Sequence, residues 1–301
     1  MGDYMGIRYG RVPDGTGEVE WHFVSHAECD GIGGFARMLR EHGVEPGKLP
    51  ETRHPGRGVI VPLWNLWRDR RKFEECAERT DWPVPAGERG VSEAVAWHLF
   101  TAGETQEIVA RCRESGITMN SFLLKHLDQA VRPDTRRTDA KIRWVIPVNL
   151  RSEIRDADDT ANQVSCIEVS IAPDDTPESI HRQTLHNLNR GEHRANHLLL
   201  VAGGILSHAC KVSFLVKDRA KPAGNIGAFS NLGVWSVPES PASRDGWLFC
   251  PPVVTGQLLG AGCVTFQGRL GLALQGHPTL SATPEIAHRW MSRWLDLIQE
   301  R

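Results

Sequence analysis

The sequence has no surplus of charge of either sign. Its 35 basic and 37 acidic residues leave a net charge of −2. No basic footprint points to nucleic acid, and no block of like charge marks a tail. No apolar run approaches the roughly 20 residues needed to span a bilayer. The first residues (MGDYMGIRYG) lack the apolar core of a secretory signal. Seven cysteines are scattered at 29, 76, 112, 166, 210, 250 and 263, an odd number with no C-x-x-C pair. That pattern argues against a disulfide framework or a zinc ribbon and fits a reducing cytoplasm.

What is present is an ordinary globular composition. With 40% hydrophobic and 24% charged residues, the 301-residue chain is long enough to bury a core in one large domain or two lobes. Residues 18–26 read as a strand ending in a polar turn. A helix follows over 31–42, with Ile32, Phe35, Ala36 and Leu39 as its apolar stripe and Gly43 as its stop. Residues 44–60 read as a loop and 63–79 as a helix carrying Trp64, Trp67 and Phe73; 81–90 (DWPVPAGERG) is the best linker. A strand is expected over 93–100. Helices follow behind Thr101, whose Glu104 three residues on completes a capping box, and behind Thr118. Strands are expected at 142–149, 164–171, 226–235, 257–266 and 269–275, and helices at 177–190, 196–210 and 284–299. The mixture predicts an α/β, two-layer fold. A faint internal repeat is also visible. Strand, His26, Asp30 and an amphipathic helix are echoed by strand, His277, Ser281 and the helix bearing Trp290 and Trp294, without the carboxylate.

The stretch Ser25-His26-Ala27-Glu28-Cys29-Asp30-Gly31 carries the chemistry. A general base needs an imidazole held in one tautomer where solvent can reach it. Gly31 supplies backbone freedom for a tight reversal after the strand, and the Asp30 carboxylate can anchor that turn on an arginine. A buried structural histidine is the bland alternative.

The stretch WHFVSHAECDGIGGFARMLRE resembles the active-site turn shared by chloramphenicol acetyltransferase, peptide-synthetase condensation domains, wax-ester synthases and plant BAHD acyltransferases. Three further segments follow in the family's order. They are ESGITMNSFLLKHLDQAV (114–131), VIPVNLRSEI with Asn162 (145–162) and FSNLGVW (229–235). The resemblance spans roughly residues 18–300. It implies a chloramphenicol-acetyltransferase-like fold, with 1–85 as a remnant N-terminal lobe and 86–301 as a complete C-terminal lobe. It implies His26 as general base, Asp30 and Gly31 as the structure of the turn, and Ser230 as oxyanion donor. Ser25, which stands where the family usually has a second histidine, joins Asn231 and Arg151 on the substrate side; Arg151 either pairs with Asp30 or organises its own loop. Family members have on the order of 100 residues before this motif, a good part of a lobe of ordinary domain size. The shorter start here predicts exposed sheet edge and self-association.

The expected activity is acyl transfer from a coenzyme A or carrier-protein thioester to an alcohol or amine, with no cofactor and no metal. The alternative is a non-catalytic remnant that binds a carrier protein or partner enzyme. A zinc site from His22, His26 and Cys29 lacks a fourth ligand. Cys29 reads better as a small apolar filler than as a nucleophile. Gly31-x-Gly33-Gly34 lacks the Lys-Ser/Thr of a phosphate loop. The basic run 68–72 (RDRRK) reads as a solvated helix face, and His277 as structural.

Overall fold

The computed structural model describes residues 6–52, 64, 92–135, 138–153, 160–205, 225–254 and 257–300. Nine strands in two sheets and six α-helices lie among them. The strands are β1 (Gly6–Val12), β2 (Glu20–Ser25), β3 (Val95–Leu99), β4 (Ile142–Asn149), β5 (Val164–Ile171), β6 (Gly227–Trp235), β7 (Gly246–Cys250), β8 (Leu259–Phe266) and β9 (Arg269–Gly276). The helices are α1 (Gly31–Glu41), α2 (Ala102–Glu114), α3 (Met119–Val131), α4 (Pro177–Asn189), α5 (Glu192–Ile205) and α6 (Glu285–Gln299).

The large sheet runs β3-β9-β8-β6-β4-β5. Its strands form because their apolar residues alternate. Along β4, Ile142, Trp144, Ile146 and Val148 are buried, and their cross-strand partners Ile171, Val169, Ile167 and Ser165 on β5 are buried too. This face is covered by α2, α3, α4 and α6, whose Ile108, Leu123, Leu127, Ile180, Trp290 and Trp294 complete one core. Helix starts follow the sequence signals. The Thr101 side chain accepts from the Glu104 amide at 3.2 Å while the Glu104 carboxylate accepts from the Thr101 amide at 2.8 Å, and Thr118 caps α3. The indoles that face this core are satisfied: Trp294 donates to the Leu123 carbonyl at 3.0 Å and Trp144 to Asp128 at 2.9 Å.

The small sheet, β2-β1-β7, was not expected as a unit, because the sequence pattern showed only β2. The chain makes it from two distant segments, with β1 antiparallel to both neighbours and Tyr9 set between His22 and Phe249. Its strand β7 crosses β8 and β9 at a seam of glycines. A Cβ at Gly271 would lie 2.1 Å from the Trp247 carbonyl oxygen, one at Gly262 2.5 Å from that of Phe249, and one at Gly260 2.6 Å from that of Pro251. Gly260 and Gly262 alternate with Ala261 and Cys263, which belong to the helix-covered core. The glycine face of β8 and β9 is therefore the face that lets backbone approach backbone. Helix α1 closes the small sheet, packing Phe35, Ala36 and Leu39 with Ile7, Tyr9, Val24, Trp235, Trp247 and Phe266.

Residues 65–91, which contain most of the expected 63–79 helix and all of the linker, lie outside the described residues. Helix α5 begins at Glu192, four residues before the expected start, and its expected end also falls outside them. His277 directly follows β9 as the sequence suggests, but it caps a short 3-10 turn (Pro278–Ala282), and α6 begins only at Glu285. The echo of the His26 turn stops at that insertion. No described helix is long and apolar enough to cross a membrane.

Candidate active site at the turn after strand β2

Strand β2 ends at Ser25, and the chain reverses through Ala27–Cys29 into α1. The Glu28 amide donates to the Ser25 carbonyl at 3.0 Å and the Ala27 amide to Ser25 Oγ at 3.3 Å. His26 sits half-buried at this reversal. Its Nδ1 lies 2.9 Å from the Cys29 carbonyl oxygen. A carbonyl only accepts, so Nδ1 carries the proton, and in the neutral ring Nε2 holds a free lone pair.

Asp30 is the N-cap of α1 and is 2% exposed. Its carboxylate accepts four hydrogen bonds. Gly33 donates to Oδ1 at 2.8 Å, Gln163 to Oδ2 at 2.8 Å, and the Arg151 guanidinium spans both oxygens at 2.9 Å each. A buried charge is tolerable only when fully paired, and the bidentate Arg151 fork provides that pairing. Arg151 does both things expected of it: it pairs with Asp30 and ties its own loop, donating to the Ala161 carbonyl at 3.3 Å and to Asn149 Oδ1 at 3.4 Å.

Residues 149–151 and 160–163 pack against the turn. Leu150 and Gln163 are joined by a 2.9 Å backbone bond. Asn162 donates to the His26 carbonyl at 3.2 Å. The Thr160 carbonyl lies so close to α1 that a Cβ at Gly33 would stand 2.3 Å from it. Tyr9, beneath α1, donates to the Gly31 carbonyl at 2.9 Å. Burial pushes its phenol well above the usual range, and nearby Cys29 and Asp30 add to this, so it stays a donor.

Gly31 requires a correction. It was expected to serve the backbone reversal, but its φ is not in the left-handed region. What requires glycine is space: a Cβ there would meet Leu232 Cδ2 at 2.8 Å and Phe249 Cζ at 3.0 Å. This contact also brings the FSNLGVW segment to the turn, because Leu232 lies on β6 two residues after Ser230. Ser230 is 7% exposed and opposite Gly262 of β8. Asn231 uses both ends of its amide. It donates to Asn120 Oδ1 at 2.6 Å and accepts from Gly233 at 2.8 Å, across the irregularity where Gly233 takes φ +84°. Cys29 is buried, and its thiol is pushed up to about 11, first by burial and then by Asp30. It is the small filler expected, and a poor nucleophile at neutral pH.

Thr160, Gln163 and Tyr9 were not singled out from the sequence. Gln163 and Thr160 act through backbone atoms, which no side-chain pattern reveals. Asn162 was legible only as a letter of the 145–162 segment.

No family model and no curated relative matches the sequence. Solved structures do match. Polyketide synthase associated protein 5 from Mycobacterium tuberculosis is 16% identical, with 94% of this chain and 75% of that one covered and a TM-score of 0.53. The trichothecene 15-O-acetyltransferase of Fusarium sporotrichioides is 12% identical, with 92% and 66% covered and a TM-score of 0.51. A peptide-synthetase cyclization-docking bidomain from Sorangium cellulosum is 13% identical, with 94% and 61% covered and a TM-score of 0.53. Sheets, helices and neighbours agree on the α/β chloramphenicol-acetyltransferase-like fold, and that is the fold of this chain.

Proposed function

We propose that this protein is an acyltransferase that moves an acyl group from a coenzyme A or carrier-protein thioester to an alcohol or amine, with His26 as general base. The observation that carries the reading is the His26 Nδ1 bond to the Cys29 carbonyl at 2.9 Å. It commits the neutral ring to the tautomer whose Nε2 can take a proton. Asp30 and Arg151 hold the turn from behind and do no chemistry themselves.

In the proposed step the acceptor's O–H or N–H gives its proton to Nε2 as its heteroatom attacks the thioester carbonyl. The tetrahedral intermediate expels the thiolate, which recovers the proton from the imidazolium, so an ester or amide and a free thiol are formed. Ser230 donates to the developing oxyanion, a contribution of about 3–4 kcal/mol where such a donor is essential. Asn231, engaged with Asn120 and Gly233, shapes the strand irregularity beside it. The fold relationship to an O-acetyltransferase and to a peptide-synthetase bidomain supports acyl chemistry of this class. We include self-association in the proposal, to be read from light scattering.

The test is thiol release from a panel of acyl thioesters in the presence of alcohol and amine acceptors. His26→Ala is expected to lower turnover about 10²- to 10⁴-fold while the protein stays folded. An unchanged rate ends the proposal. Absence of thiol release by folded wild-type protein across the panel favours the non-catalytic, carrier-binding alternative.

A further inference from the structure

We propose that Glu20, His22 and His42 form a binding site for a divalent metal of the zinc type, separate from the His26 turn. Candidate ligand atoms of the three residues lie within 4.8 Å of one another. Glu20 and His22 are two apart on β2, so they project from the same face of the small sheet. His22 is opposite Tyr9, which places that face under α1. His42 is the C-cap of α1 and reaches the same place from above, its ring edge-on to His22 at 5.1 Å.

The His42 Nδ1 lies 2.8 Å from the Met38 carbonyl oxygen, so it is the donor and Nε2 is left as a ligand. Hydrogen-bonding of the second ring nitrogen to a carbonyl is how metal-ligating histidines are oriented. His22 Nε2 is shielded from solvent and finds no hydrogen-bond partner among the described residues. A desolvated ring nitrogen without a partner is an exception that needs a physical account, and a metal supplies one. Glu20 is half exposed and touches Arg11 through Oε2 at 3.1 Å, while Arg11 has a second carboxylate, Asp245, at 2.7 Å. Glu20 can therefore turn towards a cation without leaving Arg11 unpaired. The site also lies at the C-terminal end of α1, where the helix dipole favours positive charge.

Two imidazoles and one carboxylate are a donor set for zinc, with a fourth position left for water or an outside ligand. Zinc at about 2.1 Å from each donor separates them by roughly 3.4 Å, so the three side chains must turn inward from their 4.8 Å envelope to close on the ion. The bound ion would tie β2 to the end of α1, the two elements that flank the His26 turn. The set differs from the His22, His26 and Cys29 trio weighed from sequence. His26 Nδ1 and the Cys29 carbonyl are bonded to each other, and His22 meets a histidine twenty residues away instead.

The experiment uses the full chain after chelator treatment, titrated with Zn²⁺ against a chromogenic chelator, with thermal unfolding run in parallel. The expected result is one equivalent bound, a rise in the unfolding midpoint with Zn²⁺, and at least tenfold weaker binding in both Glu20→Gln and His42→Gln. Glu20→Gln changes an exposed group and keeps the fold intact even if His42→Gln disturbs the helix end. His26→Ala is expected to bind zinc as wild type does, which makes this proposal independent of the acyl-transfer reading. Zinc binding that survives both Glu20→Gln and His42→Gln, or no stoichiometric binding by the wild type, overturns it.

Discussion

Strands β4 and β5 of the large sheet and strand β7 of the small one are built from opposite kinds of sequence. In the large sheet, β4 and β5 alternate buried and less buried residues with a clean period of two. In the small sheet, β7 is buried at all five positions, and β1 carries an arginine, Arg8, that is 4% exposed. Arg8 survives there because its guanidinium donates to the Ser92 carbonyl at 2.8 Å and lies 4.7 Å from the Phe23 ring centre. The large sheet supplies a conventional core. The turn between β2 and α1 carries the polar constellation, made from His26 and Asp30 together with Arg151, Asn162 and Gln163, which come from between β4 and β5 of the large sheet. The polar groups of this site are therefore gathered from distant segments of the chain.

The sharpest way to break this contrast is at Asp30. Asp30→Ala removes one partner of a buried, bidentate ion pair and leaves Arg151 uncompensated, so a loss of about 3–5 kcal/mol in urea unfolding is expected together with loss of thiol release. A variant of near wild-type stability would mean that the turn is held by packing alone. In the core that covers the large sheet, Trp294→Phe removes the indole bond to the Leu123 carbonyl and part of the packing of a fully buried side chain, and is expected to cost about 1–3 kcal/mol. The turnover of the folded fraction should stay at the wild-type value, and a fall in turnover would show that the two regions are coupled.

A pH dependence is shared by both sheets. Burial pushes the thiols of Cys29, Cys112 and Cys166 up to about 11, and those of Cys250 and Cys263 are raised as well. Each folded thiol keeps its proton at a pH where the unfolded thiol, near 9, has released it. The folded state then binds more protons than the unfolded state, so stability falls as pH rises from about 9 to about 11. Tyr9 acts with the same sign. Urea midpoints at pH 8, 9.5 and 10.5 should decline in that order, and a flat series would show that these thiols are better solvated than their burial implies.

Much of the large sheet was legible in the sequence. The strands at 142–149 and 164–171 have the expected bounds, and Thr101 with Glu104, Thr118 and Gly43 punctuate helices where they were read. Local signals suffice there because periodicity, caps and turns act over a few residues. At the site, His26 and Asp30 were visible because they share one short turn, and Arg151 because the 145–154 segment resembles a known one. Strand β7 was missed because a short apolar run has no period. Its trace lies elsewhere, in Gly260, Gly262 and Gly271, whose purpose is apparent only when a second backbone crosses them.

By itself the sequence determined most of the described helices, the strands of the large sheet, and the turn that presents His26 ahead of Asp30. Each depends on hydrogen bonds and side-chain periods within a few residues. Only the tertiary structure decided that Arg151, Thr160, Asn162 and Gln163 converge on that turn from more than a hundred residues away. It alone set β7 beside β1 and brought His42 to His22. Those arrangements depend on which surfaces can approach, and close approach is a property of two segments together.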